Sequence, residues 1–299
     1  MDTAPSADAA RLDAALTAID WNVLPDGSER DTVAAPSGRL ARVSLGPAGG
    51  ERVVLVPGMT GSKEDFVLMM PLLAAAGYRV EAIDLAGQYE SAAAGPENLD
   101  PPQPRYTLDL FVDDLIAVLD GGRAPAHVLG YSFAGTVTAA AATRHPELFS
   151  TLTLLSAPPL PGQSLRGFKV LGPFSGLVPG RALGPLFIAA VGRNVHRAPA
   201  DRARFVTARF AHTRHSSVGD MMTLMKRTPD LAPALRAAGI PMLVVTGTGD
   251  VWSVDAHRAH AERLGARVLV LPTGHSPCET APHQLTEAML ALMRDADPA

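Results

Sequence analysis

Ser132, Asp250 and His275 are the three side chains of this 299-residue sequence whose types and order point most directly to chemistry. Each follows an apolar run: "AHVLGYS", "LVVTGTGD" and "VLVLPTGH". A serine alcohol is a weak nucleophile and needs an adjacent base. The imidazole that serves as base needs a carboxylate to fix its tautomer and stabilise its charged form. Taken singly, Ser132 could be a helix cap, Asp250 a turn residue and His275 a loop residue. Together, in the order Ser, Asp, His and each at the end of a predicted strand, they favour a nucleophilic triad. Asp255, five residues after Asp250, is the rival carboxylate, but it falls in the first turn of the next predicted helix, where capping explains it.

The stretch "VLGYSFAG" places Ser132 between a strand and a helix, with Gly130 two residues before it and Ala134 two residues after it. A nucleophile on so sharp a turn adopts a strained backbone, which requires small neighbours. The following helix directs the positive end of its dipole at the site. Acyl chemistry also needs donors for a developing oxyanion. The backbone N–H of Phe133 is one candidate. The loop "PGMTGS" supplies the other, from Met59 or, second, from Thr60.

Such residues must be held by a regular frame. "ERVVLVPG", "YRVEAIDLAG", "AHVLGYS", "FSTLTLLSAP", "IPMLVVTGTGD" and "ARVLVLPTGH" read as strands. "KEDFVLMMPLLAAAGY", "TLDLFVDDLIAVLDGG" (with Thr107 as N-cap), "FAGTVTAAAATRHP", "SVDAHRAHAERLG" and "CETAPHQLTEAMLALMRDA" read as helices between them. Alternation of this kind implies an α/β class with a parallel sheet covered on both faces. Open sheets of this type bind ligands at the carboxyl ends of their strands, where the three residues fall. The alternation breaks near Pro158 and resumes after a mostly helical insertion. The expected organisation is a core of residues 1–158 and 233–299 carrying a cap of residues 159–232.

"LVPGMTGS", "DLAGQYES", "GYSFAGTVT", "GTGDVWS" and "PTGHSPCETAP" together resemble the α/β-hydrolase superfamily, and its capped esterase-like members most closely. The resemblance runs from the strands before Glu51 to the end of the chain, apart from the 159–232 segment. It implies an α/β-hydrolase fold, with a mostly parallel eight-stranded sheet whose first strands are antiparallel, flanked by helices and carrying a helical cap after the sixth strand. It also implies a serine hydrolase acting on a small-molecule acyl substrate: a small to medium, apolar ester, thioester or lactone. The catalytic residues would be Ser132, Asp250 and His275, and the oxyanion hole would use Met59 and Phe133. Two departures stand out. Pro57-Gly58 replaces a common His-Gly, and Ala134 replaces the elbow's last glycine. Position 132 is not the nucleophilic Asp of dehalogenase and epoxide-hydrolase relatives, which argues against both reactions. Asp84, in "DLAGQYES", is expected to organise structure. The same triad also serves acyl transfer, carbon–carbon hydrolysis and cofactor-free perhydrolysis, and a non-catalytic ligand-binding protein is a further alternative.

Composition bounds the rest. A 47% hydrophobic and 19% charged chain can bury a sizeable core. A net charge of −4 gives no case for nucleic-acid binding. The single cysteine, Cys278, excludes a disulfide framework and reads as a small buried residue. No apolar run is long enough to span a bilayer and the first residues do not resemble a secretory signal, so a cytoplasmic location is expected. No cofactor or metal is called for. His257 and His260 share one helix without a third ligand and are expected to be exposed. Leu160 to Asp230 holds 11 Lys+Arg against 3 Asp+Glu. Docking of a basic cap on an acidic core is the preferred explanation, and a surface for an anionic substrate or carrier is the other. Met221, Met222 and Met225, at helical spacing, would line a pocket or pack the core.

Overall fold

The structure, a computed structural model, describes residues 5–167 and 200–296. The strands are β1 (Glu29–Ala35), β2 (Gly38–Leu45), β3 (Arg52–Val56), β4 (Arg79–Ile83), β5 (Ala126–Tyr131), β6 (Phe149–Leu155), β7 (Met242–Gly247) and β8 (Arg267–Leu271). They form one sheet of eight in the order β1-β2-β4-β3-β5-β6-β7-β8. β2 pairs antiparallel with β1 and β4, and every other pairing is parallel. The expected α/β-hydrolase fold is therefore present, including its antiparallel first strands.

Strands β3, β5 and β7 are buried along their whole length. This is why they read as continuous apolar runs rather than as alternating ones: helices cover both faces. Alternate residues serve the two sides. Val54, Val56 and Val128 pack with helices α3 (Leu108–Asp120) and α4 (Phe133–Arg144), through Phe111, Leu115 and Val137 among others. Val53, Leu55 and Leu129 pack with α2 (Met70–Ala75) and the closing helix (Pro282–Ala296), through Leu73, Leu285 and Met289. Each such side chain contributes about 1.5–3 kcal/mol of burial free energy, enough in sum to hold the strand ends still.

The expected cap at Thr107 forms: its Oγ1 accepts the N–H of Leu110 at 3.1 Å. The helix Val254–Leu264 is capped by Ser253 rather than by Asp255, which lies in its first turn, and it stops at Gly265 with φ +70°. Two expected helices are divided. "CETAPHQLTEAMLALMRDA" forms a short helix, Pro277–Thr280, followed by the closing helix, Pro282–Ala296. "KEDFVLMMPLLAAAGY" forms a 3₁₀ turn, Lys63–Phe66, followed by the short α2. There the reason is burial of charge. Lys63, Glu64 and Asp65 are almost wholly inside the protein, where their side chains serve ion pairs rather than a solvated helix face. Lys63 Nζ meets Glu64, Glu90 and Asp84 at 2.9, 2.8 and 3.2 Å.

Of the 159–232 segment, residues 168–199 lie outside the described residues. The remainder holds a turn at Ser164–Gly167 and helices α5 (Ala200–Phe210) and α6 (His215–Leu224). Two of the basic residues of α5, Arg202 and Arg209, point inward, and Arg204 is exposed. Asp65 Oδ1 accepts from Arg202 at 2.7 Å and from Arg209 at 2.6 Å. Arg202 also pairs with Glu279 and lies 4.3 Å over the Trp21 ring. These contacts agree with docking of basic residues on core carboxylates. Met221 and Met222 are core residues, and Met225, also buried, borders a small cavity described below.

Burial alone would raise the Asp65 pKa, but Arg209 and Arg202 outweigh it and hold the carboxyl below its usual range. A depressed folded-state pKa stabilises the protein above the unfolded value, and that stability is lost as pH falls through the folded value. Asp65→Asn also leaves two buried guanidiniums short of a counter-charge. Urea unfolding at neutral pH should show a loss of about 3–5 kcal/mol, and the variant's stability should fall less steeply on acidification than the wild type's. An unchanged midpoint would contradict this reading.

Candidate active site

Ser132 sits between β5 and α4 with φ +52° and ψ −122°, a conformation that L-residues rarely adopt. Its N–H donates to Leu155 O at 2.8 Å, and its carbonyl accepts from Gly135 N–H at 2.9 Å. Its side chain makes no helix-capping bond. Instead Oγ lies 3.1 Å from His275 Nε2. The turn closes because its neighbours lack side chains. A Cβ on Gly130 would approach Thr138 Oγ1 to 2.2 Å, and one on Gly135 would approach Ala157 Cβ to 2.3 Å. The small residues that matter are therefore Gly130 and Gly135. Ala134, the position expected from the motif, is buried and tolerates its methyl group.

His275 and Asp250 stand on loops that are bonded to each other. Thr248 N–H donates to Leu271 O and Gly249 N–H to Thr273 O, both at 2.9 Å. His275 Nδ1 is 2.8 Å from Asp250 Oδ1. Asp250 is fully buried and also accepts from Thr246 Oγ1 at 2.9 Å. Burial would raise its pKa, yet the imidazoles His257 and His275 outweigh burial and hold the carboxyl well below its usual range. The imidazole of His275 lies between the Tyr131 and Trp252 rings, at centroid distances of 5.4 and 5.9 Å. Tyr131 OH shares a 2.7 Å hydrogen bond with Ser276 Oγ, and Trp252 Nε1 donates to Ser164 O at 3.0 Å. Asp255, the rival acid, is exposed in the first turn of its helix.

The loop after β3 passes close to the serine. A Cβ on Gly58 would come within 2.9 Å of Ser132 Cβ, so only glycine lets the loop approach this far. Thr60, at φ +63°, donates its N–H to the buried side chain of Gln88 at 2.9 Å. That amide is already committed, which leaves Met59 as the better donor of the two. Phe133 is the first residue of α4, where backbone N–H groups have no partner within the helix. A cavity of about 50 Å³ begins at Phe133 and is lined by Leu108, Thr136, Leu224 and Met225 among others.

A model of an alpha/beta hydrolase family matches residues 53–288. The chain belongs to the alpha/beta hydrolase family. A curated relative, the dihydrolipoyllysine-residue acetyltransferase component of the acetoin cleaving system of Pseudomonas putida, is 30% identical over 279 residues, covering 86% of this chain and 67% of its own. Bifunctional epoxide hydrolase 2 of Rattus norvegicus is 30% identical over 128 residues, 42% of this chain and 22% of its own. Among solved structures, an esterase of Thermogutta terrifontis superposes with a TM-score of 0.70 at 21% identity, covering 90% of this chain and all of the other. That likeness concerns the fold.

For this hydrolase the structure brings Ser132, His275 and Asp250 together as one chain of contacts, with Phe133 following the serine and Met59 following Gly58, the residue that approaches it. Asp84 is buried and bonded to Lys63, which follows the loop after β3: burial pushes its carboxyl up to about 7, against the pull of Lys63. His257 and His260 overturn the expectation of exposure. His260 is half-buried. His257 is fully buried, its Nε2 is 3.5 Å from Asp250 Oδ2, and neither of its ring nitrogens has a hydrogen-bond partner among the described residues. Sequence reading also missed Gly135, Gln88, Tyr131 and Trp252. The only available signal was the glycine that ends "SFAG", Gly135. Among the described residues no helix is long and apolar enough to cross a membrane.

Gly135→Ala should destabilise the protein by about 1–3 kcal/mol through overpacking against Ala157. It should also displace the start of α4 and slow any reaction at Ser132. Thermal unfolding and ester turnover measure the two effects. A fully stable, fully active variant would show that the close approach is not required.

Proposed function

We propose that this protein is a serine hydrolase that cleaves a small to medium, apolar ester, thioester or lactone through an acyl-enzyme. The observation that carries the reading is the single imidazole of His275 bridging Ser132 Oγ and a buried Asp250 carboxylate. Nucleophilic acyl substitution needs that relay. Ser132 Oγ attacks the substrate carbonyl carbon while His275 Nε2 takes its proton. The tetrahedral oxyanion accepts hydrogen bonds from the backbone N–H groups of Met59 and Phe133, aided by the dipole of α4. Collapse expels the alcohol or thiol, which takes the proton back from His275. Water then attacks the acyl-serine by the same route in reverse and releases the acid. Asp250 holds the Nδ1–H tautomer and stabilises the imidazolium. The apolar lining beside Phe133 suits an apolar acyl group. In this reading residues 159–232 cap the site.

A second reading, transfer of the acyl group to an acceptor other than water, draws support from the acetyltransferase relative in Pseudomonas putida. Added alcohols or thiols would then divert the acyl-enzyme to a new ester or thioester. Under hydrolysis alone, the free acid remains the product.

Ser132→Ala should abolish fluorophosphonate labelling and hydrolysis of p-nitrophenyl esters, and equal labelling of variant and wild type would rule Ser132 out as the nucleophile. Asp250→Asn should lower kcat about 10³–10⁴-fold, whereas Asp255→Asn should leave it within twofold or so. Stopped-assay kinetics on both variants decide between the carboxylates, and the reverse result would move the acid to Asp255.

A further inference from the structure

Gln88 lies outside the triad, yet its side chain ties the oxyanion loop to α6. It is completely buried. Its Oε1 accepts the N–H of Thr60 at 2.9 Å, and its Nε2 donates to Ser217 Oγ at 2.8 Å. Ser217, also fully buried, stands on α6 and passes the chain on by donating to Ala86 O at 3.1 Å. The backbone around Gln88 is fastened to the same region. Arg214 N–H donates to Gly87 O at 2.8 Å, and Tyr89 N–H donates to Thr213 Oγ1 at 3.3 Å. A Cβ on Gly87 would come within 2.7 Å of Ser217 Cβ, so the loop and α6 are in full contact there.

The arrangement matters because Thr60 is a non-glycine residue at φ +63°. Such a conformation persists only where surrounding bonds enforce it. Its N–H is the group that Gln88 takes. Turning that one peptide toward Gln88 fixes the preceding residue, Met59, on the loop that Gly58 brings against Ser132.

We propose that Gln88 is a positioning residue for the oxyanion hole, and that the Ser217–Gln88–Thr60 chain makes the hole's geometry depend on the seating of α6. This rests on the serine-hydrolase reading above. It adds a regulatory consequence: displacement of α6 removes the partner of Gln88 Nε2, loosens Gln88 and releases Thr60, so the oxyanion hole is complete only while α6 is docked. Gln88 touches no reacting atom, and its effect runs entirely through the Met59–Thr60 loop.

The test uses Gln88→Met, which keeps the volume and removes both hydrogen bonds, and Ser217→Ala, which removes only the far end of the chain. Active sites are titrated with a fluorophosphonate so that rates refer to competent protein. Gln88→Met should lower kcat for p-nitrophenyl acetate about ten- to hundredfold with KM within about twofold, and weaken inhibition by a phenylboronic acid by a similar factor, since the tetrahedral boronate needs the same donors. Ser217→Ala should give a smaller loss of the same kind. In the double variant the Ser217→Ala loss should vanish, because Gln88 no longer transmits it. Unchanged kcat and boronate inhibition in Gln88→Met would overturn the proposal, as would losses in Ser217→Ala that add in full to those of Gln88→Met. Ser217→Ala alone keeps the test open should Gln88→Met fail to fold: normal kcat and boronate inhibition in that variant count against the chain. A wild-type protein that takes no fluorophosphonate at Ser132 would remove the hydrolase reading instead, so the two failures are distinct.

Discussion

The backbone of Ser132 is the constraint on which the rest of the site depends. At φ +52° its peptide turns out of β5 and into α4 within a single residue, anchored by bonds to Leu155 and Gly135. That conformation disfavours any L side chain. It survives because the sheet and helix around it are close-packed and because Gly58, Gly130 and Gly135 leave room for backbone on three sides. In return Oγ is freed from helix capping and aimed at His275. The strain is a local loss in stability that the buried α/β frame offsets, a pattern common to nucleophiles on strand-to-helix turns.

Around that turn, charge is buried rather than solvated. Asp250 lies inside the protein and is kept ionised by its donors. Lys63 faces three carboxylates, and Asp65 faces two guanidiniums. Buried pairs add little net stability, but breaking one is costly, so they act as fixed points. These fixed points sit directly after the oxyanion loop, under the β4 loop and beside the residues that follow His275. The loops of the candidate site are thereby clamped where they leave the carboxyl ends of their strands.

Much of this was legible in the sequence, and the reason is physical. Strands buried on both faces leave continuous apolar runs, so the residues ending those runs were identifiable, and Ser132, Asp250 and His275 were among them. Met59 is the preferred donor on the loop in the sequence, with Thr60 second, and the contact of the Thr60 N–H with Gln88 supports that order. What periodicity could not reveal was the direction in which charged residues point. Lys63-Glu64-Asp65 reads as the polar start of a helix, yet it is buried because its charges meet partners elsewhere in the chain. Docking of the basic segment on core carboxylates was the expectation, but not which arginines do it: Arg202 and Arg209 are buried on Asp65, whereas Arg204 is exposed. His257 was misread for the same reason: helical spacing places it on a face, but only the packing of that helix against the Asp250 loop puts the face inside. Ala134 drew the eye through the motif, whereas contact with Ala157 makes Gly135 the residue that cannot grow.

The central claim is that Ser132 becomes acylated. Rapid acid quench of the protein with p-nitrophenyl acetate, followed by intact and peptide mass spectrometry, tests it directly. A covalent mechanism predicts one acetyl group per chain, on the peptide containing Ser132 and at Oγ, formed within the burst of p-nitrophenol release. Ester turnover with no adduct at Ser132, or with the acetyl group on another side chain, would contradict it.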